Sequence, residues 1–184
     1  MRRLALAVAC LMLQASSAAA QTEQENFDAC YSGAVSEQTI VACTAVIDAR
    51  KLDTKAIAVA HHNRGLALQL SGQTDRAIAD YDEAIRLQPD YANAHIYRGS
   101  AYFEKFDFDR ALQEFDQALR IEPNNALALY DRGNAWLAKG QFDAAIRDYD
   151  RALRIDPKFT MAYTNRCWVR AAGGPAEIEK ALKI

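Results

Sequence analysis

The sequence predicts an all-α protein built from repeated units, and two observations predict this fold class. Residues of five kinds recur every 34 residues along the chain, an interval typical of helical repeat proteins. Between these positions, apolar residues recur at three- and four-residue intervals, which places them on one face of a helix. Each unit therefore needs its neighbours to cover its apolar face.

The recurring residues define three full copies of the unit. Their members are Gly65, Gly99 and Gly133; Ala77, Ala111 and Ala145; Tyr81, Phe115 and Tyr149; Ala84, Ala118 and Ala152; and Pro89, Pro123 and Pro157. The second helix of each copy is expected to end just before its proline, because the residue preceding a proline is disfavoured in the α region. Each copy thus has a defined end.

The glycines are predicted to stand inside the first helix of each copy. A helical glycine costs about 1 kcal/mol relative to alanine, so its benefit is expected to be steric, allowing the second helix to approach closely. Short breaks are predicted between the two helices of each copy, at Ser71-Gly72-Gln73, Phe106-Asp107 and Lys139-Gly140-Gln141.

This order of glycine, alanine, aromatic, alanine and proline resembles the tetratricopeptide repeat. The resemblance implies an α-α superhelix, a right-handed solenoid of antiparallel helix pairs with a concave inner face. The predicted units are residues 21–57, a degenerate capping helical hairpin; 58–91, 92–125 and 126–159, three full repeats; and 160–184, a partial or altered fourth. In this last unit, Ala181-Leu182 is two residues out of register.

The first 20 residues read as a cleavable signal peptide. Arg2 and Arg3 precede an apolar run, Leu4 to Leu13, and Ala18-Ala19-Ala20 supplies small residues for cleavage after Ala20. A membrane anchor is disfavoured because about 20 apolar residues are needed to span a bilayer. A lipoprotein signal at Cys10 is disfavoured because the apolar run continues past it. The chain is expected to be periplasmic or secreted.

Three cysteines follow the predicted signal peptide. In an oxidising compartment paired cysteines are usually disulfides, and Cys30 and Cys43 lie close in sequence, so a bridge between them is predicted in preference to two buried thiols. It would contribute on the order of 3 kcal/mol. Cys167, at the glycine place of the fourth unit, has no predicted partner.

The sequence contains no nucleophile motif, phosphate loop or metal-ligand spacing, so we expect no enzyme activity, cofactor or metal. His61 and His95 share a repeat place with Leu129 and Tyr163, which predicts a packing position. The acidic pairs recur once per repeat, as a solvated face would. The net charge is −2, and the scattered basic residues argue against nucleic-acid binding. No later segment is apolar enough to span a membrane.

Arg64, Arg98, Arg132 and Arg166 also recur at 34 residues. One interpretation is a cationic ladder for an acidic partner. The favoured interpretation is structural, with aliphatic stems covering the seam between helices and guanidinium groups paired with the repeated acids.

The resemblance implies a binding groove lined by first helices, and none of the groove places is a lysine. The implied groove residues are His62, Asn63, Leu66, Gln69, Asn93, Tyr97, Ser100, Phe103, Tyr130, Asp131, Asn134, Leu137, Asn165 and Trp168. Amides, hydroxyls and aromatic rings suit an extended peptide. The predicted function is a non-catalytic protein- or peptide-binding scaffold of the bacterial periplasm. The alternative is self-assembly through an uncapped C-terminal face near Met161, Trp168, Ile178 and Leu182.

Overall fold

The computed structural model describes residues 21–34, 36–49 and 51–171, and within these ranges the chain forms nine helices and no strand. The fold is therefore all-α, as predicted. The predicted signal peptide with Cys10, and the C-terminal residues Ile178, Ala181 and Leu182, lie outside the described residues. The chain divides into two compact units, one ending at Leu87 and the other beginning at Gln88.

The N-terminal unit consists of four helices. They are α1 (residues 21–31), α2 (Glu37–Ala49), α3 (Thr54–Leu70) and α4 (Thr74–Leu87). Helix α3 packs against both α2 and α4. The predicted disulfide is present, with 2.10 Å between the sulfur atoms of Cys30 and Cys43, and both residues are buried in the core of this unit. The disulfide therefore ties α1 to α2.

Helix α3 begins earlier than the repeat pattern predicts. The first full copy is predicted to start at residue 58, whereas the helix starts at Thr54. The cause is Asp53, whose carboxylate accepts a hydrogen bond from the backbone N–H of Ala56 at 2.7 Å. Such a cap satisfies one of the free N–H groups at a helix start, and here it adds one turn ahead of the repeat.

The C-terminal unit consists of five helices. They are α5 (Ala92–Glu104), α6 (Phe108–Ile121), α7 (Ala126–Ala138), α8 (Phe142–Ile155) and α9 (Thr160–Ala171). Consecutive helices pack against one another, and α5 also contacts α7. Stacked helix pairs with the first helices of two successive repeats in contact are the arrangement that the resemblance implies.

The predicted apolar stripes of the second helices form the core. In every full copy both alanines and the aromatic residue are completely buried. The predicted close approach at the glycines is also confirmed. A Cβ atom added to Gly65 would lie 2.7 Å from Cε1 of Tyr81, and one added to Gly99 would lie 2.7 Å from Cε1 of Phe115. These glycines are required because an aromatic ring occupies the space of a side chain.

The turns that separate the two helices of each copy share one geometry. In the first and third copies the residue after the helix cap is a glycine with positive φ, Gly72 (77°) and Gly140 (71°). The second copy places Phe106 there, with φ of 60°. Bulky residues rarely adopt this left-handed conformation. The sequence pattern predicts the break but not this unusual residue within it.

Candidate partner-binding site

The repeated arginines lie in the seams between helices and are paired with acids of the second helices. In the N-terminal unit the guanidinium of Arg64 donates to both carboxylate oxygens of Asp80, at 2.7 and 2.8 Å. Burial would raise the pKa of Asp80, but the hydrogen bonds from Arg64 and His61 outweigh burial and hold it below its usual value. The structural interpretation of the arginines is therefore supported here.

The same pairing continues in the C-terminal unit. Arg98 donates to Glu114 at 2.7 Å, and Arg132 bridges two acids, Asp148 on α8 and Asp116 on α6, at 2.7 Å each. The hydrogen bond to Asp148 is the main cause that raises the pKa of Arg132. Since these guanidinium groups already have carboxylate partners, they do not form an unoccupied cationic ladder.

The two repeated histidines add a second partner to these acids. Nδ1 of His61 lies 2.9 Å from Asp80, and Nδ1 of His95 lies 2.8 Å from Glu114. The predicted packing position is thus also a hydrogen-bonding position in the first two copies. Leu129 holds this place in the third copy. No group of three or more potential metal ligands occurs within the described residues.

The groove residues predicted for the first copy pack inside the N-terminal unit. His62 and Gln69 are buried, with exposed fractions of 6% and 8%. Gln69 accepts a hydrogen bond from the hydroxyl of Tyr81 at 2.8 Å, and Nδ2 of Asn63 donates to the carbonyl of Cys30 at 2.9 Å. The structure differs from the expectation for these three residues because α3 is covered on two sides, by α2 and by α4. We therefore leave them out of the candidate surface.

In the C-terminal unit, three predicted groove residues come together in one hydrogen-bonded cluster. Nδ2 of Asn165 on α9 donates to Oδ1 of Asn134 at 2.9 Å and to the hydroxyl of Tyr130 at 3.2 Å, both on α7. The hydroxyl of Tyr149 also donates to Oδ1 of Asn134, at 2.8 Å. The repeat pattern predicted Tyr149 only as a core residue and did not predict the hydrogen bond that its hydroxyl forms. Burial raises the pKa of this tyrosine.

Asp131 stands beside this cluster without a partner of its own. Within the described residues no hydrogen bond or ion pair involves its half-buried carboxylate, although its charge contributes to the raised pKa of Tyr149. Burial raises the pKa of Asp131 itself to about 7. It is therefore an acid in an unfavourable environment on a predicted binding face.

The other predicted groove residues of this unit differ in accessibility. Asn93 is exposed, Tyr97 and Ser100 are half-buried, and Trp168 is 59% exposed. Phe103 and Leu137 are half-buried, and the ring of Phe103 lies 5.3 Å from that of Phe108. Phe103 and Leu137, which the resemblance assigns to the groove, pack against the hydrophobic core and are left out of the candidate surface. The other predicted groove residues of this unit form the candidate surface.

An open cavity in the N-terminal unit was not predicted from the sequence. It has a volume of about 430 Å³ and is lined by α1, α2 and the segment before α3, with Phe27, Val46 and Leu52 among its apolar residues. None of the predicted groove residues lines it.

No described helix is long and apolar enough to cross a membrane.

Comparison with solved structures shows the same fold in several proteins. The first tetratricopeptide domain of Spaghetti (RPAP3), bound to the HSP90 peptide SRMEEVD, matches with a TM-score of 0.63 and 24% identity, covering 67% of this chain and 97% of that one. The Arabidopsis OM64 tetratricopeptide domain matches with a TM-score of 0.63 and 25% identity, covering 65% and 98%. MamA matches with a TM-score of 0.66 and 23% identity, covering 80% and 82%.

Comparison with curated proteins finds no match. Two family models, both described as tetratricopeptide repeat, match residues 62–125 and 126–159. Together they cover more than half of the 184 residues. The chain belongs to the tetratricopeptide repeat family.

Proposed function

We propose that this chain is a non-catalytic scaffold that binds an extended segment of another protein on the first-helix face of its C-terminal unit. The contacting residues are Asn93, Tyr97, Ser100, Tyr130, Asp131, Asn134, Asn165 and Trp168. The observation that carries the proposal is the cluster of Asn134, Asn165 and Tyr130, which joins two first helices through side chains able to bond a peptide main chain.

The proposed kind of partner is supported by the family and by one structurally similar protein whose structure contains a bound peptide. The first tetratricopeptide domain of RPAP3 is bound to the peptide SRMEEVD. The present chain has no lysine at its groove places and carries an acid, Asp131, on the corresponding face. We therefore propose the same class of ligand, an extended peptide, with different side-chain preferences.

Selection from a library of random dodecapeptides would test the proposal. The purified chain is expected to enrich a defined sequence that binds with micromolar affinity. Asn93→Ala combined with Trp168→Ala should weaken binding at least tenfold, since both side chains are accessible and their removal leaves the core intact. The matched control is Gln113→Ala combined with Gln117→Ala, two exposed residues of α6. Equal affinity of all three proteins would refute the proposed surface.

Export to the periplasm is a further part of this proposal. The N-terminal charge and apolar pattern supports it, as does the disulfide between Cys30 and Cys43, since disulfides persist in oxidising compartments. Expression of the full chain in a bacterium, followed by fractionation and N-terminal sequencing, provides the test. A periplasmic product beginning at Gln21 is expected, whereas a cytoplasmic product with residues 1–20 intact would contradict export.

Self-assembly through α9 is the second candidate function. It is favoured by Met161 and Trp168, which are 55% and 59% exposed on this last described helix. Sedimentation analysis over a range of concentrations should detect a dimer that Met161→Glu dissociates. A monomer at millimolar concentration would exclude this candidate. Peptide binding by the Met161→Glu variant would separate the two functions.

A further inference from the structure

Asp131 occupies a place in the repeat where the side chains of other copies form hydrogen bonds within the fold. The equivalent residues, at intervals of 34, are Asn63, Tyr97 and Asn165. The amide of Asn63 donates to a backbone carbonyl, and that of Asn165 donates to Tyr130 and Asn134 of the preceding first helix. A polar side chain at this place thus normally finds an acceptor or donor in the fold.

The preceding helix explains why Asp131 has no such partner. Moving back 34 residues from Tyr130 and Asn134 gives Ile96 and Ser100 on α5, which packs against α7. Ile96 is an almost fully buried hydrocarbon and replaces the hydroxyl that serves Asn165. The shorter Ser100 replaces the amide. Within the described residues, neither Ile96 nor Ser100 forms a hydrogen bond with the carboxylate of Asp131.

The nearby cations do not compensate for this. Arg132, the next residue along α7, already binds Asp148 and Asp116, and Arg98 on α5 binds Glu114. Burying a carboxylate without a partner destabilises a protein, and the usual compensation is an opposite charge or a hydrogen bond. In the described residues neither is present for Asp131, and burial raises its pKa to about 7.

One aromatic residue occupies the place of this acid in the neighbouring repeat. Tyr97 holds in α5 the place that Asp131 holds in α7, and these two helices pack against each other. Aromatic faces attract ammonium and guanidinium groups, and a carboxylate supplies the counter-charge. The combination matches the chemistry of a cationic group and disfavours an acidic one.

We propose that Asp131 is the recognition site for a cationic group, a lysine or arginine side chain or an N-terminal ammonium, of the segment that the C-terminal unit binds. This inference rests on the proposed peptide-binding function. It predicts a preference opposite in charge to the acidic residues of the peptide SRMEEVD that the RPAP3 domain binds.

The first test uses the same dodecapeptide library with three proteins. The unaltered chain should enrich peptides with lysine or arginine at one fixed position, or with a required free N-terminus. Asp131→Asn should lose that enrichment, and Asp131→Lys should replace it with aspartate or glutamate. Asparagine stands at the equivalent place in two other copies, so the Asn variant is expected to fold, and its melting curve verifies this.

The second test measures affinity with defined probes. For a selected peptide with arginine at the fixed position, replacement by citrulline should weaken binding at least tenfold to the unaltered chain and less than twofold to Asp131→Asn. Acetylation of the N-terminus, done separately, distinguishes an ammonium from a side chain. Equal losses in both proteins would overturn the inference.

The outcomes separate this inference from the function on which it rests. Tight binders without any basic preference would overturn the role of Asp131 and leave peptide binding intact. A library that yields no binder would overturn the proposed function. In that case, nuclear magnetic resonance of the Asp131 carboxyl carbon with arginine amide still tests the site: a saturable shift that acetamide does not produce supports it, and no shift overturns it.

Discussion

Gly133 and Tyr149 pack so closely that position 133 has no room for a side chain. A Cβ atom on Gly133 would lie 2.6 Å from Cε1 and 2.9 Å from Cδ1 of the Tyr149 ring. The ring is fully buried, and its hydroxyl donates to Asn134 on the helix that carries Gly133. The ring therefore cannot move away without losing this hydrogen bond to the candidate site.

Gly133→Ala is expected to lower the free energy of unfolding by up to about 2 kcal/mol. Overpacking of a filled core costs about 1–3 kcal/mol, and the better helix propensity of alanine returns about 1 kcal/mol. Urea unfolding measures the difference. In a Tyr149→Leu background the ring is absent, so the same alanine should be neutral or stabilising. A loss of equal size in both backgrounds would show that the ring is not the cause.

Phe106→Gly is expected to raise the free energy of unfolding by about 1 kcal/mol. The left-handed conformation costs a residue with a Cβ about 1–2 kcal/mol, and glycine removes this cost, as in the turns at Gly72 and Gly140. The side chain is 81% exposed, and its main described ring contact is with Phe108, at 6.2 Å between centroids. Little packing is therefore lost.

Phe106→Ala is the control for this effect. Alanine removes the ring but keeps the Cβ atom and hence the strain. The thermal unfolding temperature of this variant should therefore equal that of the unaltered chain or lie below it. If alanine stabilised the protein as much as glycine did, exposure of the ring would be the cause and the backbone conformation would not.

Positions with a fixed role in every repeat could be predicted from the sequence. The buried stripe, the steric need for glycine and the helix ends follow from local patterns, and each copy repeats them. The arginines and acids were also predictable as pairs because both recur with the same interval. The start of α3 was not, because it depends on Asp53, which lies before the first full copy.

The candidate site was only partly predictable, because accessibility depends on what covers a helix. His62 and Gln69 hold places that the resemblance assigns to the groove, yet packing against neighbouring helices buries them. The isolation of Asp131 could not be predicted from its own position. It depends on the neighbouring helix α5, where the buried hydrocarbon Ile96 stands at the place of Tyr130 and offers no hydrogen-bond donor.

Arg132→Met is expected to destabilise the chain more than Arg98→Met. Removal of one member of a buried ion pair costs about 3–5 kcal/mol, because the other charge remains buried. After loss of Arg132 the buried Asp148 has no histidine to replace it, since Leu129 stands at that place. After loss of Arg98, Glu114 keeps the hydrogen bond with His95.

The measurement is urea unfolding of both variants at pH 7. We expect a loss of about 3 kcal/mol for Arg132→Met and a clearly smaller loss for Arg98→Met. His95→Leu combined with Arg98→Met gives the second copy the leucine and methionine that the third copy has in Arg132→Met. It should therefore increase the smaller loss to the larger one. Equal losses for the two single variants would contradict a compensating role of the histidine.

The stability of the chain should fall between about pH 4 and pH 7 because of Asp131. Its pKa is raised by burial from 3.8 to about 7, so the folded state binds the proton more tightly than the unfolded state. The contribution of Asp131 to stability is fully present below the pKa of the unfolded state. It is lost as the pH rises through the pKa of the folded state. The neighbouring Tyr149 is neutral in this pH range, and the guanidinium of Arg132 is already paired with Asp148 and Asp116, so it does not compensate the charge of Asp131.

Asp131→Asn isolates this contribution. The variant cannot ionise, so its free energy of unfolding relative to the unaltered chain should increase from pH 4 to pH 7 and then level off. At pH 8 the variant is expected to be more stable than the unaltered chain by about 2 kcal/mol. This is less than the free energy that corresponds to the whole pKa shift, because the carboxylate is partly exposed to solvent. Asp90→Asn, at an exposed acid in the turn after α4, is the matched control for the chemical change. A flat difference for Asp131→Asn would mean that its carboxylate is solvated or paired, and the unsatisfied charge invoked for cation recognition would be absent.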